Sequence, residues 1–258
     1  MTGQRFTAIA LAGGTLEADF REAGYDVPNK AFLPVGGVAM ITRVLRALRA
    51  AQHVENIRCV TSAQAIAAFP EAEQLCDAIV EPRHDLIASL LAGIEGLAPT
   101  QRVLVTATDL PLLDGAVVDA FAALANATPC DIGYGFVERS SHEGSYPDVR
   151  HTWVRLREGI FCGAGMSVMR VGATEQVNAL LRKLTAARKS PLALAALFSY
   201  TLLFKAVIGT LSVAEVERRA RELSGLECRG LLCSQPELAV NVDRLEDLRT
   251  VEGILARA

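Results

Sequence analysis

Three short stretches hold residue types that could handle phosphate groups and a metal ion. The first is Leu11-Ala12-Gly13-Gly14, followed after a loop by Asn29-Lys30-Ala31-Phe32-Leu33-Pro34-Val35-Gly36-Gly37. Glycines where a strand ends let the backbone come close to a phosphate and turn N–H groups toward it. Lys30 adds a mobile positive charge able to follow a triphosphate as negative charge builds during attack. A Gly-Gly turn also occurs in many sheets that bind nothing, so both readings stand on these residues alone. The second stretch is Val103-Leu104-Val105-Thr106-Ala107-Thr108-Asp109-Leu110-Pro111. A carboxylate just past a buried strand has little freedom to lose on holding Mg²⁺, which takes oxygen ligands and keeps several waters; a turn- or helix-capping aspartate is the plain alternative. The third is Pro236–Leu248, where Asn241 and Asp243 alternate along an extended segment and so point the same way. A helix is expected to start at Arg244 or Leu245, which makes Asp243 equally a candidate N-cap.

Positioning these residues requires strands whose ends converge. Phe6–Leu11 is a short apolar run ending at the two glycines and reads as a buried first strand. Ala39–Ala51 has apolar residues at helical spacing, with Arg43, Arg46 and Arg49 off that stripe. Strands are expected at Ile57–Thr61, Ala78–Glu81 and Arg102–Thr106, with a helix over Leu86–Leu97 between the last two. Asp114 would cap a helix running to Ala127. Apolar runs alternating with helical patterns are the signature of βαβ units on a mostly parallel sheet. In the second half, Asp131–Val137, Thr152–Arg157 and Met166–Val171 read as strands, with a polar connection from Glu138 to Arg150. A helical stretch from about Thr174 to Leu223 follows, then a strand at Leu231–Ser234 and a closing helix at Arg244–Ala256. One domain over 1–258 with a helical insertion near its C-terminus is the economical description.

Composition narrows the classes of function. The chain has 258 residues, of which 51% are hydrophobic and 21% charged, enough for a sizeable core and against disorder. A net charge of -3 argues against a nucleic-acid partner held by bulk positive charge. Cys59, Cys76, Cys130, Cys162, Cys228 and Cys233 form no C-x-x-C pair, and the chain opens without a signal-type apolar segment. Reduced, mostly buried thiols in a cytoplasmic protein are therefore expected. His53, His84, His142 and His151 lack metal-ligand spacing and read as incidental.

Weaker signals lie between the main motifs. Glu81–Leu90 is a polar strand-to-helix loop that includes Ser89. Gly159–Met166 carries glycines in a strand pattern, which mark either close backbone approach to a ligand or a bulge. Cys162 in that stretch has no sequence-adjacent histidine and reads as inert and buried. Residues 191–209 are almost wholly apolar, interrupted by Lys205. A core helix or a dimer surface is the plain reading; the sharper one is a pocket for an apolar acceptor or contact with a membrane surface. Arg182, Lys183, Arg188 and Lys189 just upstream could bind an acceptor phosphate or anionic lipid.

Ala12-Gly13-Gly14 and Lys30-Ala31-Phe32-Leu33-Pro34-Val35-Gly36-Gly37 closely resemble the N-terminal signature of the nucleotidyltransferase superfamily that includes MobA-like NTP transferases. Thr108-Asp109-Leu110-Pro111 resembles its strand-end Asp-x-Pro motif, and Asn241-to-Leu248 its C-terminal metal segment. The resemblance implies a Rossmann-like, mostly parallel sheet flanked by helices, of the nucleotide-diphospho-sugar transferase (GT-A) type. It implies Mg²⁺-dependent transfer of a nucleoside monophosphate from an NTP to a phosphorylated acceptor, with pyrophosphate released. Leu11, Ala12, Gly13, Gly14, Lys30, Ser89 and Asp109 would then contact the nucleotide, with Lys30 and Asp109 catalytic and Asp109 and Asp243 on the metal. The family usually places Gly-x-x-Arg after the glycines; here the chain reads Thr15-Leu16-Glu17-Ala18-Asp19, and Arg21 comes too late to align simply. Two rivals remain: a glycosyltransferase of the same architecture, disfavoured because Thr-Asp-Leu-Pro replaces Asp-x-Asp, and a non-catalytic nucleotide-binding regulator.

Overall fold

A computed structural model describes residues 3–187 and 200–257. Its main sheet contains β1 (Phe6–Leu11), β4 (Val54–Val60), β5 (Ala78–Val80), β6 (Arg102–Ala107), β7 (Ile132–Glu138), β8 (Val154–Leu156), β9 (Gly159–Arg170) and β10 (Cys228–Cys233). The spatial order is β10-β7-β9-β6-β1-β4-β5, with β8 added beside β9. Pairing is parallel for β10/β7, β6/β1, β1/β4 and β4/β5, and antiparallel where β9 meets β6, β7 and β8. A separate hairpin pairs β2 (Pro34–Val35) with β3 (Val38–Ala39). Its turn residues Gly36 and Gly37 have φ of 56° and 77°, the left-handed pair that a two-residue hairpin turn demands.

The strands read as buried because both faces are covered. Phe6, Ala8 and Ala10 pack on one side with the helices Met40–Ala50 and Gly115–Ala127; Ile9 packs on the other with Val60, Val103, Val105 and Ile94. Period-2 alternation thus sends each strand into two cores. In Met40–Ala50 the stripe Ile41, Val44, Leu45 and Leu48 is buried, while Arg46 and Arg49 reach outward to Glu71 and Asp77. Asp114 caps its helix, accepting from the Val117 N–H at 2.8 Å.

A third core ties the two chain ends together. Leu16, Phe20, Leu33, Val35 and Met40 pack with Val240, Val242, Leu248 and Val251. The segment carrying Asp243 is therefore seated on the N-terminal loop and hairpin.

Several expected elements differ in extent. The strand expected at Met166–Val171 begins at Gly159, so the glycine segment is itself sheet; β10 starts at Cys228 instead of Leu231. The polar connection after β7 holds a helix, Arg139–Ser145, without apolar periodicity because only His142 of its residues is buried. The expected helical stretch contains Thr174–Ala187, Tyr200–Val207 and Val213–Ser224. The last begins with a capping box: the Glu215 N–H donates to Ser212 Oγ at 3.2 Å and the Ser212 N–H to Glu215 Oε2 at 3.0 Å. Of the apolar stretch 191–209, residues 191–199 lie outside the described residues, as do Arg188 and Lys189. Among the described residues no helix is long and apolar enough to cross a membrane.

Candidate functional site

The chain runs outward from β1 to β4 and β5, then returns to β6 on the other side of β1. Such a reversal opens a crevice at the carboxyl ends of the strands, where ligands bind in open α/β sheets. Leu11 pairs with Ala107 at that edge, so Gly13-Gly14 and Thr108-Asp109 leave the sheet side by side. Thr108 Oγ1 donates to the Leu11 carbonyl at 2.8 Å, locking the two turns together. Gly14 has φ 101°, a conformation that side-chain-bearing residues avoid. The N–H groups of Gly13, Gly14 and Thr15 have no partner among the described residues, and all three residues are exposed. A run of unengaged N–H groups at a glycine turn suits an anion.

Lys30 reaches this edge from the other side. Asn29 is buried and works in two directions: its Nδ2 donates to the Ala12 carbonyl at 3.0 Å, and its Oδ1 accepts from the Ala31 N–H at 2.9 Å. That clamps the short helical turn Lys30–Phe32 against the glycine turn. The Lys30 ammonium then lies between two carboxylates, 2.6 Å from Asp109 Oδ2 and 2.5 Å from Asp243 Oδ1. Burial alone would lower the Lys30 pKa, but Asp109 and Asp243 outweigh it and hold the ammonium above its ordinary range. In this pairing it is held as a cation.

Asp243 arrives through a chain of backbone anchors. The Val242 N–H donates to the Asp109 carbonyl at 3.1 Å. Asn241 Nδ2 donates to Asp243 Oδ2 at 2.5 Å, so these alternating residues do share a side. The capping expectation for Asp243 is corrected. Asp247 Oδ2 accepts from the Asp243 and Arg244 N–H groups, and Asp19 Oδ2 accepts from Leu245 N–H at 2.8 Å. With the helix start Leu245–Leu255 satisfied by others, the Asp243 carboxylate faces Lys30.

The segment Thr15–Asp19, where the family pattern breaks, thus has a structural assignment. Leu16 fills the third core, Asp19 caps the C-terminal helix, and Arg21 Nη1 donates to the Leu16 carbonyl at 2.5 Å. Arg21 braces the loop from within. Asp19→Ala is expected to cost about 1 kcal/mol in chemical denaturation, the usual worth of a helix cap.

Asp109 is the most buried charge of the cluster, and its Oδ1 is buried without any partner. An orphaned carboxylate oxygen is costly in a native protein and invites a cation. Among the described residues no group of three or more His, Cys, Asp or Glu side chains could hold a metal. Two carboxylates with waters completing the shell would suit Mg²⁺, and Asp109 with Asp243 has that composition.

Ser89 shares no hydrogen bond with this cluster. It is buried, and its Oγ accepts from the Arg83 N–H at 2.9 Å, holding the Glu81–Ser89 loop closed. That loop does touch the glycine turn, since a Cβ at Gly13 would lie 3.3 Å from Pro82 Cβ. All six cysteines are free, with Cys59, Cys162, Cys228 and Cys233 buried. Burial pushes the Cys162 thiol up to about 11, which leaves it unreactive.

Beside Asp243 a polar cavity of about 440 Å³ is lined by Arg150, His151, Thr152, Asn241 and Arg244. His151 and His142 are not incidental: their Nε2 atoms lie 2.9 Å apart and Trp153 packs against both rings. No spacing rule flags such a pair, because His142 sits on a helix and His151 beyond it. Burial, then the neighbouring His151, lowers the His142 pKa to about 4 from 6.5. The unfolded chain binds this proton below pH 6.5 and the folded one only near 4, so stability falls as pH drops across that window. His142→Phe is expected to flatten this loss, by about 2–3 kcal/mol, in unfolding curves recorded across that pH range.

A family profile for the MobA-like NTP transferase domain matches residues 8–202. A structure described as a hypothetical transferase from Thermus thermophilus is 33% identical with a TM-score of 0.81, covering 95% of this chain and 100% of that one. A nucleotidyl transferase from Methanothermobacter thermautotrophicus shares the fold at 18% identity and TM-score 0.58, with 99% of each chain covered. So does 4-diphosphocytidyl-2C-methyl-D-erythritol synthase from Anaerococcus prevotii, at 12% identity and TM-score 0.58, covering 99% of this chain and 100% of that one. No curated protein matches the sequence significantly. The mostly parallel sheet flanked by helices is that of the nucleotide-diphospho-sugar transferases, and the chain belongs to the MobA-like NTP transferase family.

Proposed function

We propose that the protein is a Mg²⁺-dependent nucleotidyltransferase that moves a nucleoside monophosphate from an NTP to a phosphorylated acceptor. The observation that carries this reading is the Lys30 ammonium held between Asp109 and Asp243 at the mouth of the glycine turn. The unpartnered Asp109 Oδ1 supports the same site as a cation seat.

In this reading the Gly13 and Gly14 N–H groups cradle the triphosphate, where a flexible backbone approaches the anion without a side chain in the way. Leu11 and Ala12 set the turn through their carbonyls, which accept from Thr108 and Asn29. Asp109 and Asp243 would hold Mg²⁺, with Asn241 steadying Asp243. When bound, the metal supplies charge neutralisation on the phosphates and polarisation of the reacting phosphoryl group. Lys30, positioned between these carboxylates, would donate to the negative charge that builds on the leaving pyrophosphate.

The acceptor enters from the side of the polar cavity beside Asp243. A phosphate oxygen of the acceptor attacks the α-phosphorus. The new O–P bond forms as the bond to the β-phosphate oxygen breaks, and pyrophosphate leaves with the electron pair. A phosphate dianion needs no base, so the protein supplies alignment and charge.

The test is pyrophosphate release from each NTP with Mg²⁺ and a panel of sugar, alcohol and lipid monophosphates. Release with at least one pair is the expected result. Transfer of a sugar from a sugar nucleotide, with no pyrophosphate from any NTP pair, would replace this reading with the glycosyltransferase one.

A further inference from the structure

A second cavity, of about 570 Å³, lies on the sheet face that carries β7, β8 and β9. Its walls include Tyr134, Phe136, Val154, Phe161, Met169 and Val216, and the lining is overwhelmingly apolar. Three of these are open to solvent: Tyr134 is 55% exposed, Val154 53% and Val216 43%. Exposed apolar side chains gathered in one concave surface mark a binding site more often than chance placement does. The volume is that of a small-molecule pocket.

This cavity and the polar one beside Asp243 share two residues, Cys162 and Gly163. The boundary between them has its own chemistry. A Cβ at Gly163 would fall 2.2 Å from Tyr134 Oη, so only glycine leaves room for the hydroxyl there. Tyr134 therefore presents its ring to the apolar cavity and its hydroxyl to the strand where the polar cavity begins. Tyrosine takes this stance where an apolar region meets a wet one. Tyr134 pairs with Ser167 but Phe136 with Gly163, so β9 bulges within its own glycine segment and re-aims the side chains around this boundary.

We infer that the acceptor is amphiphilic: a monophosphate head beside Asp243, Arg150 and Arg244, and an apolar chain lying past Gly163 in the cavity under Tyr134. The inference rests on the nucleotidyltransferase reading for the identity of the head group. In the transfer step, an oxygen of that monophosphate bonds to the α-phosphorus and pyrophosphate departs, leaving the chain unchanged as a spectator. Continuity with the Asp243 cavity is what assigns the apolar cavity to the acceptor: an apolar pocket next to the attacking oxygen can contribute binding energy to the substrate that provides it.

The experiment is calorimetric titration of the full chain with n-butyl, n-octyl and n-dodecyl phosphate, each below its micelle concentration. Affinity is expected to rise by about fourfold per added methylene until the cavity is filled, the increment for burying a CH₂ group. Val216→Glu and Val154→Glu, both at exposed positions on separate elements, are expected to abolish that dependence while leaving Mg²⁺–NTP binding unchanged. Either variant suffices should the other fail to fold. An affinity flat across the series overturns the inference, as does a chain-length dependence that neither substitution alters. Flat affinity together with a dimer that either substitution splits would assign the groove to a second copy of the chain. Titration needs no turnover, so rising affinity without NTP binding would sink the nucleotidyltransferase reading while leaving the apolar site standing.

Discussion

Asp109→Asn is expected to lower nucleotidyl transfer at least about a thousand-fold, the scale of the several kcal/mol that a metal's charge contributes to such a step. The substitution keeps the shape of the side chain and removes its charge. One carboxylate oxygen pairs with Lys30 at 2.6 Å and the other is buried without a partner, so the lost charge lies at the most enclosed point of the site. The fold should survive, because the anchor to Val242 is made by the Asp109 backbone carbonyl. Mn²⁺ binding followed by electron paramagnetic resonance should weaken in parallel with turnover, while circular dichroism stays unchanged. Undiminished metal binding in this variant would remove Asp109 from the metal site.

Lys30→Met is expected to reduce turnover by about 10²–10³, the range seen when one preorganised donor to a developing anion is lost. Its second effect separates it from Asp109→Asn. Without metal, Asp109 and Asp243 are left facing each other across the vacated ammonium position, with the Asp109 side chain only 12% exposed. That should destabilise the metal-free protein by about 1–3 kcal/mol, less than a fully buried broken pair because Asp243 is 57% exposed. Mg²⁺ should restore most of this loss and should stabilise the variant more than the wild type, since it no longer competes with the ammonium. Thermal unfolding with and without Mg²⁺ reads both quantities. Equal stabilisation of the two proteins by Mg²⁺ would mean that the carboxylate pair is not where the ion binds.

Much of this arrangement was legible in residue order, and the exceptions share a cause. Strands such as Phe6–Leu11 and Arg102–Ala107 announce themselves because burial on both faces demands continuous apolar runs. Gly13-Gly14, Lys30, Asp109 and Asp243 stand out through their resemblance to the family's motifs, since by residue type alone a plain turn or a cap fits them as well. What sequence alone could not supply was pairing across long separations. Nothing local marks Asp19 as the residue that caps a helix starting at Leu245, or Asn29 as the clamp on the Ala12 carbonyl. Asn29 did leave a signal, a capping residue directly ahead of the turn that carries Lys30. The Asp243 cap expectation failed because Asp247 sits closer to the free N–H groups, and a carboxylate already engaged by Lys30 and Asn241 cannot also turn back. His142 and His151 escaped because their contact depends on how the segment after the helix Arg139–Ser145 folds back, which no spacing rule encodes.

The loop from Thr15 to Asn29 changes meaning once the third core is in view. Leu16, Phe20 and Asp19 make it the platform on which the Asp243 segment rests. In place of the arginine that the family's pattern carries after the glycines, the loop holds residues that position a carboxylate. Lys30 and the free N–H groups of the glycine turn are left as the triphosphate's candidate partners on this side of the site.

Calorimetric titration of ATP, GTP, CTP and UTP into the wild-type protein, Asp109→Asn and Asp243→Asn, with and without Mg²⁺, shows whether these two carboxylates seat the metal that holds the nucleotide. At least one nucleotide should bind the wild type tightly only when Mg²⁺ is present, and both substitutions should remove that metal-dependent gain. Nucleotide binding that is indifferent to Mg²⁺ and unaltered by either substitution would mean that Asp109 and Asp243 hold no metal for the nucleotide.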